Sequence, residues 1–430
     1  MLDRRQFLTR SGAAAIAAGT LGGAQASEVE AGERQGRAQS GSPGPLQADA
    51  PLQYAVAPDP AARLPAVPFQ GPWQAGIVSR PPPAACFVSF NVTATTRGEL
   101  IDLLKALTGR ARFLTQGGIP ANLGPVAPPS DSGTLGPDIP ADGLTVTVGF
   151  GSTLFDGRFG IADRKPKHLI EMTSFPNDDL NPDLCGGDVL LQICAGSPDT
   201  AIHALRDITK HTRGGIQILW RLDGFVSPER PTGVPRNHLG FMDGIANPNV
   251  TDPDVANRLL WVVPGIGEPD WAVGGTYHVC RIIRMFIEFW DRVSLHEQQT
   301  MIGRYRASGN VLGTSSVTAL PDFATDPKGK VIPLTAHIRL ANPRTRATED
   351  SRIFRRGYNY DNGVDLAGNL DMGLIFNCFQ QDLARQFIAN QTRLIGEPMV
   401  DYISPVGGGY FFAVPGVRDS HDWYASGLFG

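Results

Sequence analysis

Residues 84–92 read Ala-Ala-Cys-Phe-Val-Ser-Phe-Asn-Val, and residues 96–107 read Thr-Arg-Gly-Glu-Leu-Ile-Asp-Leu-Leu-Lys-Ala-Leu. The first run alternates well enough for a strand. The second opens with Thr96-x-x-Glu99, in which the threonine hydroxyl and the glutamate carboxylate satisfy each other's free backbone N–H groups at a helix start. Leu100, Leu103, Leu104 and Leu107 then recur at helical spacing. A strand followed at once by an amphipathic helix sets the pattern for what lies on either side.

Downstream, a Pro/Gly/Asp-rich excursion runs from Gln116 to Gly143. Leu144 to Gly151 (LTVTVGFG) reads as a second strand and Val189 to Ala195 (VLLQICA) as a third. Ser197-Pro198 opens a helix, with Ser as cap and Pro in the first turn, and Ile202, Leu205 and Ile208 mark its expected buried stripe. Ile216 to Phe225 closes as a strand. The order β-α-β-β-α-β is that of a ferredoxin-like unit. It then repeats, with strand Tyr277 to Phe289, helix 291–306, strands Ile353 to Tyr360 and Gly373 to Phe379, helix Asp382 to Leu394, and strand Tyr410 to Val414. Leu383, Phe387 and Leu394 fall on the apolar side of the last helix. The expected fold class is α+β: two ferredoxin-like modules, residues 69–235 and 236–430, whose antiparallel sheets meet across a shared core.

The composition agrees with a loop-rich globular chain. Of 430 residues, 50 are Gly and 35 Pro, while 42% are apolar, enough for a sizeable core. No stretch of ~18 apolar residues suggests a membrane span. With 38 Lys+Arg against 42 Asp+Glu there is no basic excess to attract nucleic acid. The 5 Cys are odd in number and lack C-x-x-C spacing, so they read as small buried residues rather than a disulfide framework, zinc ribbon or c-type haem attachment.

Upstream, Asp3-Arg4-Arg5-Gln6-Phe7-Leu8-Thr9 precedes a weakly apolar run, Ala13 to Leu21, and the ending Ala24-Gln25-Ala26. Paired arginines, a modest hydrophobic segment and A-x-A form a twin-arginine export signal over residues 1–26. That route carries folded proteins, so it points to a bacterial periplasm or exterior and to a cofactor acquired before export. Removing the segment takes three Arg and one Asp with it and leaves a charge of about −6. Residues 27–68, rich in Ala, Pro, Gly, Gln and Glu, read as a flexible linker.

The usual catalytic signatures are missing. There is no G-x-S-x-G and no Walker A loop, and His296-Glu297-Gln298-Gln299-Thr300 lacks the second His of a zincin. Gly149-Phe150-Gly151 lacks the third glycine of a dinucleotide fingerprint. Three places remain. Asp243 lies in Gly240-Phe241-Met242-Asp243-Gly244-Ile245-Ala246-Asn247-Pro248 at the junction of the halves, where it is either turn chemistry or a carboxylate in a cleft that glycines let a ligand approach. His337 lies in Ala336-His337-Ile338-Arg339-Leu340-Ala341-Asn342-Pro343-Arg344, as a ligand or an ordinary surface or core histidine. Arg355-Arg356 sit on a predicted strand, where alternation sends them to opposite faces. At most one enters a pocket, and the other is expected in solvent.

Taken together these stretches resemble the dye-decolourising (DyP-type) haem peroxidases, and within them the exported deferrochelatase/peroxidase-like branch. The resemblance covers roughly residues 68–430. Besides the three places above, it rests on Gly71 to Ile77 (GPWQAGI), Gly149 to Gly160 (GFGSTLFDGRFG), Gly187 to Ala195 (GGDVLLQICA) and Gly408 to Gly416 (GGYFFAVPG), all in the family's order.

The resemblance implies a haem-dependent peroxidase that reduces hydrogen peroxide and oxidises dyes, phenols or other bulky organic reductants in one-electron steps through a ferryl haem. It makes His337 the proximal iron ligand, whose other nitrogen donates to an acid, with Asp401 the candidate and Asp382 the fallback. It makes Asp243 and Arg355 the distal pair. A carboxylate can move the peroxide proton, and a guanidinium can stabilise charge as the O–O bond breaks. Gly244, Ile245 and Ala246 are expected over the porphyrin face, Asn342, Pro343 and Arg344 beside the proximal loop, and Arg344 and Arg304 at the propionates. Without C-x-x-C-H, the cofactor is expected to be non-covalent haem b, one per chain. The resemblance further implies a homo-oligomer and iron-uptake components as partners. It keeps in play an alternative function, a periplasmic haem-handling protein that releases iron from haem. A cofactor-free binding module would instead be colourless.

Overall fold

Helix α1 (Arg97–Gln116) begins as its sequence dictates: the Thr96 amide donates to Glu99 Oε2 at 3.3 Å and the Glu99 amide to Thr96 Oγ1 at 3.2 Å. Leu100, Leu103, Leu104 and Leu107 are all buried. Helix α2 (Pro198–His211) is capped by Ser197, whose hydroxyl accepts from the Thr200 amide at 3.3 Å. Its buried stripe is Ala201, Ala204, Leu205 and Ile208, while Ile202 points outward at 38% exposure. Steps of three residues drift by about −60° on a 3.6-residue helix, so Ile202 lies about 120° from Ile208 and falls off the apolar face.

These features belong to a computed structural model that describes residues 63–228 and 234–430. The expected export signal, and the linker up to residue 62, lie outside the described residues. Arg63 to Ala66 are exposed, and the chain enters the core at Phe69.

The first half contributes β1 (Ala84–Val92), β2 (Thr145–Gly151), β3 (Val189–Ala195) and β4 (Ile216–Phe225). They pair antiparallel in the spatial order β4-β1-β3-β2. The second half contributes β5 (Thr276–Met285), the short β6 (Phe354–Arg355), β7 (Tyr358–Val364), β8 (Leu370–Gln380) and β9 (Ile403–Ala413). Their order is β9-β5-β8-β7, with β6 on the same edge of β8 as β7. The expected strand Ile353 to Tyr360 is therefore broken at residues 356–357. After a short helix, Pro253–Leu259 (α3), the expected helix 291–306 is shorter, Leu295–Ile302 (α5), and a separate turn of helix, Ile287–Trp290 (α4), takes the end of the predicted strand.

Two seams join the halves into one closed antiparallel sheet. Gly149–Gly151 of β2 pair with Ala413–Phe411 of β9, and Phe225 of β4 pairs with Asn359 of β7. Gly224 makes the second seam possible, because a Cβ there would lie 2.9 Å from Ile375 and Tyr358 side-chain atoms. The interior of the ring is apolar, built from Phe87, Leu190, Trp220, Ile282, Tyr358 and Phe411 among others. Cys86, Val88 and Phe90 of β1 face the other way, onto the leucines of α1. Alternation along β1 thus separates two cores, and eight of its nine positions are buried. Cys86, Cys194, Cys280 and Cys378 are buried free thiols, and Cys185 is half-buried.

Arg356 corrects one expectation. It is not solvent-exposed but 3% exposed, beside Cys194 and Tyr358, and donates to the Ser79 carbonyl. The far face of its strand is the inside of the ring, not water.

On the outer face of the second half, Ile283 and Met285 of β5 and Leu374 and Phe376 of β8 alternate outward while Ile282 and Ile375 point in. A large cleft is built on that face. Among the described residues, no helix is long and apolar enough to cross a membrane.

Candidate active site

The cleft on β5 and β8 has an empty volume of about 1680 Å³ counted out to its mouth. Apolar walls come from Phe241, Ile245, Ile302, Ile338, Phe387 and Met399, and polar groups enter at a few points. Asp243, Arg304, His337, Asn342, Arg344 and Arg355 all line it, drawn together from a span of 112 residues. Ile245 and Ala246 line it as well. Gly244 and Pro343 are adjacent in sequence but are not part of the wall.

Asp243 sits in a turn held by its own backbone. Its amide donates to the Pro235 carbonyl at 3.0 Å, and Gly244 follows at φ +91°, a conformation that glycine alone adopts cheaply. The Arg236 guanidinium fastens the turn from outside, donating to the carbonyls of Gly240, Arg306 and Ala307. Arg355 reaches the same point from β6. Its Nη1 donates to Asp243 Oδ1 at 2.9 Å, with 27% and 22% of the two side chains exposed. Asn247 holds the Arg355 backbone, donating from Nδ2 to its carbonyl at 2.7 Å and accepting its amide at 3.0 Å on Oδ1.

His337 begins a short helix, α6 (His337–Ala341). Gly303, at φ +94°, ends α5 against it; a Cβ there would lie 2.6 Å from Ile338. The acid beside the imidazole is Glu397: His337 Nδ1 and Glu397 Oε2 are 2.7 Å apart, and Glu397 is 3% exposed. This corrects Asp401, which is exposed, and Asp382, which lies beside His168 at 3.6 Å. Asp401 sits at the end of the helical turn Pro398–Asp401, whereas Glu397, just before that turn, faces inward. Burial works to lower the His337 pKa, but the Glu397 carboxylate outweighs it and holds the imidazole above its ordinary value. Arg355 and Asp243 exert smaller, opposing influences on the same ring.

Of the arginines lining the cleft, Arg281, Arg352 and Arg355 are ion-paired with Asp178, Glu349 and Asp243, whereas Arg304 and Arg344 make no ion pair among the described residues. Arg304 is 7% exposed and donates to the carbonyls of Gly309 and Val317. Burial, then the charges of Arg355 and Arg344, push it down to about 10. Arg344, at φ +56°, is lowered by burial and then by Arg352, with Glu349 opposing. Such a cluster calls for an anionic ligand. A flat apolar group with acidic substituents and a metal that takes one imidazole would suit these walls, these arginines and the Nε2 of His337, the ring nitrogen that Glu397 does not engage. Among the described residues, no three His, Cys, Asp or Glu side chains converge to hold a metal by themselves. Glu397, Asn247 and Arg236 were not singled out from sequence. Asn247 stood inside the quoted stretch, but nothing in the spacing of Glu397 marked it.

Comparison with known proteins agrees with this construction. The N-terminal Dyp-type peroxidase family profile matches residues 74–226, and the C-terminal Dyp-type peroxidase profile residues 234–418. A deferrochelatase from Yersinia pestis bv. Antiqua (strain Nepal516) is 50% identical over 365 residues, covering 84% of each chain. The crystal structure of a DyP-type peroxidase from Cellulomonas bogoriensis superposes with a TM-score of 0.75 at 34% identity, covering 84% of this chain and 98% of that one. Ferric DtpA from Streptomyces lividans gives a TM-score of 0.78 at 30% identity, covering 87% and 100%. With both halves matched and the acid–arginine and histidine–glutamate pairs lining one cleft, the chain belongs to the Dyp-type peroxidase family.

Proposed function

We propose that the cleft holds one non-covalent haem b and that the protein uses it to reduce hydrogen peroxide at the expense of a bulky organic reductant. The observation that carries this reading is the pairing of His337 with Glu397 and of Asp243 with Arg355 in one apolar cleft edged by arginines. When bound, the haem supplies the iron that coordinates peroxide and the oxidising equivalents that the reductant later quenches.

The chain's own groups do the rest. Glu397 keeps a proton on His337 Nδ1, which leaves Nε2 as the iron ligand and makes it more basic. Asp243 would accept a proton from peroxide and return it to the departing oxygen. Arg355 steadies Asp243 and offers a permanent positive charge to the oxygen that gains electrons. Arg344 and Arg304, with Asn342 nearby, receive the propionates. Ile245 and Ala246, which line the cleft after Gly244, would lie against the haem.

Residues 69–235 and 236–430 are two ferredoxin-like modules, a reading supported by the matching strand orders of the two halves. The residue 1–26 signal sends the folded protein through the twin-arginine route to the periplasm or beyond. Self-association follows the family habit. A second reading is favoured by the name of the 50%-identical relative, deferrochelatase: release of iron from haem in service of iron uptake.

The ultraviolet–visible spectrum of purified protein supplied with haem, before and after one equivalent of peroxide, tests the proposal. A Soret band that changes with peroxide and recovers on adding a dye supports the peroxidase. A Soret band indifferent to peroxide, with iron released and porphyrin intact, favours the second reading. No Soret band after reconstitution defeats both.

A further inference from the structure

Asp243 borders a second, much smaller cavity, separated from the cleft by the Asp243, Asn237 and Leu374 side chains that line both. This cavity lies beside the β4–β7 seam, where Phe225 pairs with Asn359. It offers about 20 Å³ to a water centre, and a single water needs roughly 10–15 Å³ on that measure.

One of its polar groups is unfinished, and a second, Asp243, is engaged by Arg355 through one oxygen. Asn359 is 6% exposed, its Nδ2 donates to the Arg236 carbonyl at 2.9 Å, and its Oδ1 is buried without a partner. Turning the amide over would set Oδ1 against the Arg236 carbonyl, so that bond fixes which end is the donor. A buried acceptor left bare is destabilising, which is reason to look for its donor. Asp243 has Oδ1 engaged by Arg355. Its Oδ2 lies toward Gly357, where a Cβ would come within 3.5 Å. The missing side chain keeps the space beside Oδ2 free.

We propose that this cavity is a built hydration site, in which one resident water donates to Asn359 Oδ1 and to Asp243 Oδ2. Each carboxylate oxygen then has its own donor, Arg355 on one and the water on the other. The carboxylate is held oriented from behind while its cleft side stays free for peroxide. Asn359 and Gly357 are positioning residues acting through Asp243. This rests on the acid–base role given to Asp243 above.

The test uses the haem-loaded protein. A high-resolution crystal structure should place a water bonded to both oxygens; a dry cavity, or a water touching neither, overturns the proposal. Gly357→Ala fills the space and should slow the reaction with peroxide about tenfold, the worth of one hydrogen bond, with the Soret band unchanged. Asn359→Thr and Asn359→Val are near-isosteric and both lose the bond to Arg236, so only the hydroxyl separates them. The threonine variant should keep most of the rate and the valine variant lose it; equal rates mean a merely structural role and overturn the idea. In an Asp243→Asn background, Gly357→Ala should add nothing, and an additive loss shows that it acts elsewhere. Should Asp243→Asn alone leave the peroxide rate intact, the acid–base reading fails, while the water in the crystal still decides this one.

Discussion

Arg355 Nη1 and Asp243 Oδ1 meet at 2.9 Å although 112 residues separate them in sequence. One belongs to a two-residue strand on the edge of β8 and the other to a glycine-bounded turn at the junction of the halves. In the proposed function they form the distal pair, one carrying a proton and the other a fixed charge. Asp243→Ala should retain haem and slow the reaction with peroxide by about 10²–10⁴, the usual worth of a positioned acid–base group. Arg355→Leu should cost about 10²–10³ by removing charge stabilisation. Stopped-flow spectroscopy at one peroxide equivalent reads both, and a full rate in either variant removes that residue from its role.

Asn247 supports the pair without touching its functional atoms. Its amide closes a two-bond clamp on the Arg355 backbone at 2.7 and 3.0 Å. Asn247→Ala leaves an amide and a carbonyl unpaired, a cost of about 1–3 kcal/mol that the strand edge can relieve only by shifting Arg355. The expected outcome is a lower melting temperature together with a slower peroxide reaction, while Asn247→Asp, which keeps an acceptor for the Arg355 amide, falls in between. Unchanged kinetics in Asn247→Ala would show that β6 holds Arg355 by itself.

The elements were legible where local chemistry decides them. Thr96 with Glu99, and Ser197 with Pro198, named helix starts that the folded chain uses. What escaped depends on closure of the sheet. Arg356 faces the ring interior rather than water because β4 and β7 join at Phe225 and Asn359, a long-range pairing with no local signature. The same limit applies to Glu397. Its distance to His337 is fixed by the fold around α6 and the turn at Pro398, and Asp401, four residues on, offers the same functional group in sequence. The sequence reading named Asp401 and Asp382 for this place, and packing put a third acid there.

The excursion between α1 and β2 is tied down by acid–base contacts of its own. Asp131 lies 2.5 Å from His203 of α2 and accepts the Gly133 amide at 2.6 Å. Burial works to raise the Asp131 carboxyl, but the Gly133 amide and the His203 ring outweigh it and hold it below the ordinary value. An acid whose folded pKa is depressed stabilises the fold above its unfolded value, about 3.9, and loses that contribution as pH falls through the lower folded value. Peptides from residues 117–143 should therefore gain hydrogen exchange at acid pH below about 4, ahead of the sheet. Asp131→Asn should bring that opening to neutral pH without loss of haem. Equal protection of the excursion and the sheet across that window would refute the tether.

Glu397 gives the sharpest separation of charge from shape. Glu397→Gln keeps an oxygen to accept the His337 Nδ1 proton at about the same place but removes the carboxylate. In the haem-free protein the imidazole now titrates above its ordinary value because Glu397 overrides burial. With the charge gone, burial is left as the largest influence and the pKa should fall below that ordinary value, which NMR titration of the His337 ring can follow. In the haem-loaded protein a less basic ligand stabilises the ferric state less, so the midpoint potential should rise while the Soret band stays in place. His337→Ala differs in kind. It removes the proposed iron ligand and strands a buried carboxylate, at a cost on the order of 3 kcal/mol, so it should lose both haem and stability. A Glu397→Gln protein with unaltered ring pKa and unaltered potential would mean that the 2.7 Å contact orients His337 and does nothing to its basicity.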